Sequence, residues 1–316
     1  MRLFFMGTPQ FAVPILEAIV DAGYQVVGVV TQPDRPKGRG HKIHFSPVKE
    51  IAINYGLAVF QPNRLSEPDF LARLEDFLPD VMVVAAFGQI LPPAVLRVPR
   101  YGCLNVHASL LPAYRGAAPI HRAIINGEKE TGITIIMMDE SLDTGDILLQ
   151  EALPIADEDT AGTLHDRLAQ LGAQMLVKAL ELLVMGRLQR RPQDHARATY
   201  APLLSQKDES IKWDASARAI FNQVRGLNPW PGAATIWKGR FLKIWRVEVA
   251  QSECLLAGTL PGQVRVASPE DGLIVQANPG LVLVRELQLQ GGKRMEIKEF
   301  LRGNPIAIAT LFNCLE

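Results

Sequence analysis

The sequence predicts an α/β protein in two parts, a helix-covered parallel sheet followed by a smaller domain of short strands. Three observations carry this reading. The chain opens strand–helix–strand: the apolar run Arg2–Met6 stops at Gly7, Val13, Leu16, Ile19 and Val20 recur at helical spacing up to Gly23, and Val26–Thr31 is again apolar and β-branched. That alternation lays parallel strands side by side. Val81–Ala86 is an uninterrupted apolar run, as expected of a strand buried on both faces. Beyond Ala233 the texture changes, and turn signals crowd together at Trp237-Lys238-Gly239-Arg240, Leu260-Pro261-Gly262, Pro269-Glu270-Asp271-Gly272 and Asn278-Pro279-Gly280. Hairpins at this spacing indicate a small β-barrel or sandwich.

The remaining elements follow in order. Thr8 and Pro9 offer an N-cap residue and a proline at the first helical position. Pro33–His44, rich in Gly, Arg and Lys, reads as a loop. Helices are expected over Pro47–Tyr55 and Pro68–Phe77, and strands over Cys103–Val106 and Gly132–Met138 with a helix at Pro119–Ile125 between them. Thr160–Met185 reads as one long helix, with Leu164, Leu168, Leu171, Met175 and Leu182 along one face. From Gly186 to Gln206 the rhythm is lost, and Arg187, Arg190, Arg191, Pro192, Arg197 and Pro202 mark a basic linker. A helix over Trp213–Arg225 precedes the strand-rich part. The expected organisation is a first domain at 1–186, a linker at 187–206 and a second domain at 207–316, with no internal repeat or low-complexity tract.

Composition bounds the function. A chain of 316 residues, 48% hydrophobic and 21% charged, fills two ordinary domains and needs no staples. Disordered, collagen-like and disulfide-scaffold classes are excluded. No apolar run approaches the roughly 18–20 residues that cross a bilayer, so no membrane partner is expected. The N-terminus reads as a first strand and not as a signal peptide. Cys103, Cys254 and Cys314 are odd in number, far apart and without a Cys-x-x-Cys pair. Zinc and redox motifs are therefore absent, and reduced apolar thiols in the cytoplasm are expected. The neutral total hides a split: residues 1–186 carry 15 basic and 21 acidic side chains, residues 187–316 carry 18 and 12. A basic half suits a polyanion such as nucleic acid, although a solvated face has the same composition.

Four segments could carry chemistry. Gly7-Thr8-Pro9-Gln10-Phe11-Ala12 stands where a dinucleotide fingerprint would, but Pro9 and Ala12 replace the second and third glycines. A Rossmann-like opening without them speaks against a nicotinamide enzyme; an anion at the helix start or a plain turn remains. Leu104-Asn105-Val106-His107 puts an amide and an imidazole on one face at the C-terminal end of a strand, where open α/β sheets place their sites. Both can donate toward one oxyanion, and the imidazole can move a proton. On spacing alone, a satisfied turn pair is the better reading, because a three-residue pattern is weak. Asp139, Glu140, Asp143 and Asp146 fall within one short stretch that ends another apolar strand. They form a metal loop, a carboxylate that orients the imidazole, or a polar turn; the ligand spacing of an EF-hand is absent. The segment Asp34–Lys42 carries Arg35, Lys37, Arg39 and Lys42 around Gly38 and Gly40, which suits phosphate contacts as well as an exposed surface loop.

Taken together, these segments resemble the methionyl-tRNA formyltransferase family. The likeness runs over Gly7-Thr8-Pro9, Thr31–Pro36 with Gly38-Arg39-Gly40, Ser46–Lys49, Ala86–Pro92, Asn105-Val106-His107 with Ser109–Pro112, Arg115–Ile120, Leu142–Asp146 and Asn228–Pro231. It is dense over residues 1–150 and thinner beyond, and Phe87 stands where related proteins often have Tyr. The resemblance implies a Rossmann-like formyltransferase domain followed by an OB-like β-barrel. It implies Asn105, His107 and Asp143 as a catalytic trio that needs no metal. It implies 10-formyltetrahydrofolate as co-substrate, held by Phe87, Gln89, Ile90, Leu91, Ser109, Leu110, Leu111, Pro112 and Asp139. Methionyl-initiator tRNA would be the acceptor, reached by Arg35, Lys37, Arg39 and Lys42 and bound by the basic face of the barrel. The expected state is a monomer. The competing readings are a folate-dependent formyltransferase or hydrolase acting on a small amine, a nicotinamide oxidoreductase, and a non-enzymatic RNA-binding protein. A small acceptor would have no use for the basic second half.

Overall fold

The computed structural model describes residues 1–37, 42–250 and 259–315, with backbone alone at residues 36, 37, 42 and 43. They form two compact units, the first from Met1–Pro119, Glu130–Pro154 and His165–Pro202, the second from Ile120–Lys129, Ile155–Leu164 and Leu203–Glu316.

The first unit runs β1 (Arg2–Gly7), α1 (Val13–Asp21), β2 (Gln25–Val30), the short pair β3 (Arg35–Lys37) and β4 (Lys42–His44), α2 (Pro47–Asn54), β5 (Val59–Phe60), α3 (Pro68–Asp76), β6 (Val81–Ala85), α4 (Pro93–Leu96) and β7 (Cys103–His107). After α5 (Pro119–Ile125), which lies almost wholly in the second unit, come β8 (Glu130–Met137), β9 (Ile147–Pro154) and α6 (Ala161–Val184). Seven strands form one sheet in the order β5-β2-β1-β6-β7-β8-β9. Pairing is parallel from β5 through β7 and antiparallel from β7 to β9. Leu3, Phe4, Phe5 and Met6 of β1, which lies inside the sheet between β2 and β6, expose no surface, which explains their unbroken apolar run. Strand β9 is not foreshadowed by the sequence, because its burial fades after Leu148 and the apolar signal fades with it.

Thr8 does not cap a helix. A 3-10 turn at Gln10–Ala12 intervenes, with Pro9 in the cap position and no side-chain cap bond. The Thr8 hydroxyl is engaged elsewhere: it donates to the Phe87 carbonyl (3.3 Å) and accepts from the Gln32 N–H (3.3 Å), while Gln32 Nε2 donates to the same carbonyl (3.2 Å). These bonds tie together the chain leaving β1, β2 and β6. Ser46 does cap α2, accepting from the Lys49 N–H at 3.1 Å. Residues 187–202 lie in the first unit: Arg191 bridges to Ile147, and Gln193 is buried.

The second unit holds α7 (Gln206–Glu209), α8 (Ala217–Gly226), β10 (Ala233–Trp237), β11 (Arg240–Val249), β12 (Val264–Ser268), β13 (Gly272–Gln276), β14 (Leu281–Leu289), β15 (Met295–Glu296) and α9 (Ile297–Gly303). The helix expected from Trp213 begins instead at Ala217, because the Ser216 hydroxyl caps it. The strands are antiparallel, in the order β10-β11-β14-β13-β12 with β15 beside β14. Lys238 and Gly239 both have positive φ between β10 and β11, as a two-residue hairpin requires. Trp213, Ile220, Val224, Ile244, Val275 and Phe300 pack in the interior. The tail closes the sheet: Leu311 bridges to Gln263 and Asn313 to Ile236, so one segment pairs beside both β12 and β10.

Cys103 opens β7 at 1% exposure, and burial pushes its thiol up to about 12. Cys314 is exposed, and Cys254 lies outside the described residues. Iodoacetamide treatment of the folded protein at pH 8 should therefore leave Cys103 unmodified and alkylate Cys314, as read by peptide mass mapping.

Candidate active site

Strand β7 carries Asn105 and His107 two residues apart, at the end where the chain leaves the sheet. It pairs with β8, placing His107 opposite Thr134 and Asn105 opposite Ile136. The connection from β8 to β9 carries the acidic segment, so the carboxylate arrives from the neighbouring strand. Asn105 Nδ2 donates to Asp143 Oδ1 at 3.3 Å, and His107 Nδ1 lies 3.6 Å from Asp143 Oδ2. His107 Nε2 is 3.0 Å from the Tyr114 carbonyl. A carbonyl only accepts, so Nε2 carries the hydrogen in that contact and Nδ1 faces the carboxylate. The His107 and Asp143 side chains are 7% and 10% exposed.

The loop is held from several sides. Asp143 has φ 53°, a left-handed conformation that Asp tolerates better than most residues. Its Oδ2 accepts the Gly116 N–H at 2.9 Å. A Cβ at Gly145 would fall 1.8 Å from the Met137 carbonyl oxygen, so the loop closes only with glycine there. Gln193 Nε2 donates to the carbonyls of Asp143 (2.8 Å) and Gly145 (2.7 Å), and Gln193 Oε1 accepts from Arg115 Nη2 at 2.7 Å. Asp139 Oδ1 accepts from the Ser141 N–H (3.0 Å) and the Thr144 hydroxyl (2.6 Å), which shapes the start of the loop. Among the described residues no group of three or more His, Cys, Asp or Glu is arranged to hold a metal ion.

The other candidates lie in varied settings. Phe87 and Leu91 are core residues at 3% exposure, Gln89 is half-buried, and Ile90 is exposed. Ser109 is fully buried, its hydroxyl donating to the Ala113 carbonyl at 2.6 Å. Leu110 and Pro112 are half-buried, and Leu111 packs with Ile136 and Ile147. A groove of about 900 Å³, lined by Thr8, Gln32, Arg35, His44, Ser46 and Phe87 among others, adjoins the ends of β1, β2 and β6. Arg35 pairs with His44 in the β3–β4 ladder, so the described ends of the segment expected as a loop are strands. Lys37 and Lys42 pair through backbone, their side chains are not described, and Arg39 lies outside the described residues. The residues flanking the β3–β4 pair are fastened by Thr31 to Ser46 (2.6 Å) and by Asp34 to Lys49 (2.5 Å). The Lys49 hydrogen bond, with one from Gln61, holds the Asp34 carboxyl below the usual carboxylate range.

Sequence reasoning passed over Gln193 and the side chain of Arg115. Gln193 stands in a stretch whose only pattern is basic charge, and nothing local marks it. Arg115 belongs to the Arg-Gly-Ala-Ala-Pro segment, but its burial at 2% exposure is visible only in the fold.

Residues 1–180 match the family described as formyl transferase, and residues 203–305 match the formyl transferase C-terminal domain. The methionyl-tRNA formyltransferase of Pelotomaculum thermopropionicum is 55% identical over 306 residues, covering 97% of this chain and 96% of that protein. That of Moorella thermoacetica is 49% identical over 315 residues, covering 100% of both. Among solved structures, an N-formyltransferase from Helicobacter canadensis in complex with folinic acid and dTDP-3-aminofucose has a TM-score of 0.67 at 19% identity, covering 93% of this chain and 99% of that one. HypX from Aquifex aeolicus in complex with tetrahydrofolic acid has a TM-score of 0.64 at 15% identity; it matches 95% of this chain, which spans 46% of HypX. Both structures share the fold. With these relatives, and with the Asn105, His107 and Asp143 side chains gathered at one strand end, the chain belongs to the methionyl-tRNA formyltransferase family.

Proposed function

We propose that this chain moves the formyl group of 10-formyltetrahydrofolate to the α-amine of methionyl-initiator tRNA, with Asn105, His107 and Asp143 as its catalytic residues. The observation that carries the reading is the meeting of an amide, an imidazole and a carboxylate at the end of β7. The amine attacks the formyl carbon, and charge builds on the formyl oxygen. An amide has two N–H donors, and Asn105 gives one to Asp143, which leaves a second for that oxygen. One such donor is typically worth about 2.7–4 kcal/mol of barrier. For His107 to donate there too, its Nε2–H exchanges the Tyr114 carbonyl for the substrate. The attacking nitrogen then loses a proton and folate N10 gains one; His107, a bound water and Asp143 form the relay. General acid–base help of this kind typically contributes roughly 10²–10⁴-fold.

Folate is assigned to Phe87–Leu91, Ser109–Pro112 and the Asp139–Asp143 loop, with exposed Ile90 the side chain freest to meet it and Phe87 meeting it from the core. The groove beside Arg35 and the loop through Lys37, Arg39 and Lys42 are assigned to the acceptor end of the tRNA, where cations meet phosphates. The excess of basic residues beyond residue 186 supports a polyanionic acceptor over a small amine.

Asp143→Asn should keep the fold, since Asn tolerates the same left-handed backbone, and should lower turnover roughly 10²–10⁴-fold. Steady-state formylation rates with an unchanged circular dichroism spectrum check this, and near-normal turnover removes Asp143 from the mechanism. Arg39→Ala should raise KM for tRNA severalfold and leave folate affinity within twofold in equilibrium binding; equal losses would make the loop structural. Binding of tRNA should weaken steeply with salt through counterion release, as a titration between 50 and 200 mM salt would read.

A further inference from the structure

We propose that Gln193 and Arg115 are positioning residues that set the catalytic carboxylate, a role that rests on Asp143 acting as described above. Gln193 is 6% exposed, and both ends of its amide are used. Nε2 donates to the main-chain carbonyls of Asp143 and Gly145, at 2.8 and 2.7 Å, and so grips the loop on both sides of Thr144. Oε1 accepts from Arg115 Nη2 at 2.7 Å and Nε at 3.3 Å. Only an uncharged amide suits both neighbours, because a carboxylate cannot donate to the carbonyls and an ammonium cannot accept from the guanidinium.

Arg115 supplies the direction. A guanidinium has donors and no acceptor, so it draws Oε1 toward itself and turns Nε2 toward the loop. It is 2% exposed and forms no ion pair with a carboxylate among the described residues; its other side-chain partner is His195 Nδ1, at 3.0 Å. A buried cation without an anion is costly to keep, which argues that it is retained for this orientation. The Arg115 main chain is itself fixed, its N–H to the Thr199 carbonyl (2.9 Å) and its carbonyl to the Ala201 N–H (2.7 Å). The next residue, Gly116, gives its N–H to the carboxylate of Asp143. Residues 115 and 116 therefore hold Asp143 twice, through its main chain by way of Gln193 and through its side chain directly. Neither Arg115 nor Gln193 needs to touch substrate to govern where the carboxylate stands.

Gln193→Ala removes both carbonyl donors. It should lower kcat about 10–100-fold, the scale on which small misplacements of a catalytic group act, with KM for folate and tRNA within twofold. Gln193→Glu keeps the acceptor for Arg115 and loses the donors; paired with the Arg115 guanidinium it should fold, with an unchanged circular dichroism spectrum and a lowered thermal midpoint, and still lose turnover to a similar degree. Glu thus tests the idea if the Ala variant does not fold. Arg115→Lys keeps the charge without the two-donor fork, and combined with Gln193→Ala should be no slower than Gln193→Ala alone. The deciding measurement is the Asp143→Asn background, where Gln193→Ala or Gln193→Glu should cost less than twofold more, because the group through which they act is already gone. An equal fractional loss in both backgrounds, or unchanged kcat in both Gln193 variants, overturns the proposal. Near-normal turnover of Asp143→Asn by itself overturns the catalytic reading, and the single variant distinguishes that failure from the other two.

Discussion

The first unit is organised around one carboxylate taken largely out of water. Removing Asp143 from solvent is costly unless its oxygens are supplied with donors, and here the donors are the Gly116 N–H and the Asn105 amide, with the His107 ring alongside. Hydrogen bonds to a charged group typically contribute about 1.5–3 kcal/mol each, enough for the loss of one partner to be felt. The partners lie 27 and 38 residues away in the chain, and Gln193, which fastens the main chain, lies 50 residues away. The site therefore forms only when β7, the loop after β8, the turn at Tyr114–Gly116 and the segment around Gln193 are all in place.

The same region concentrates left-handed backbone at residues that are not glycine. Ala86 follows β6, Tyr114 precedes Arg115 and Asp143 carries the carboxylate, with φ of 45°, 60° and 53°. Such conformations persist where surrounding bonds fix them, and they gather at working sites. At Tyr114 the fixing bonds are on hand: its N–H donates to the Thr199 hydroxyl at 2.8 Å and its carbonyl receives His107 Nε2. The backbone bend and the orientation of the imidazole are thus one arrangement.

Much of this was legible in the sequence, for a local reason. An apolar run that ends in polar residues marked β7 and the rim where it emerges, but the spacing of Asn105 and His107 suited a turn pair better, and the family resemblance rather than the pattern singled them out. Asp143 was legible as one acid among four, but that its carboxylate stands beside the His107 ring needed the neighbouring strand. Thr8 was misread because its residue type suits a cap, whereas its hydroxyl joins the ends of β1, β2 and β6. Strand β9 escaped because an edge with half its side chains in solvent has no strong pattern. Gln193 escaped because it is defined wholly by partners distant in the chain.

The second unit ends its sheet on both sides with the same few residues. Leu311 and Asn313 lie beside β12 and β10, and the main chain of Val264, Gly262 and Ile236 is hydrogen-bonded to residues 309–313. A shortened version of the chain stopping before Ala309 would bare two rows of hydrogen-bonding groups at once. Bare strand margins recruit other copies of themselves, so such a truncated product would clump, and an affinity tag fused at this terminus needs a spacer that leaves the closing segment free to dock.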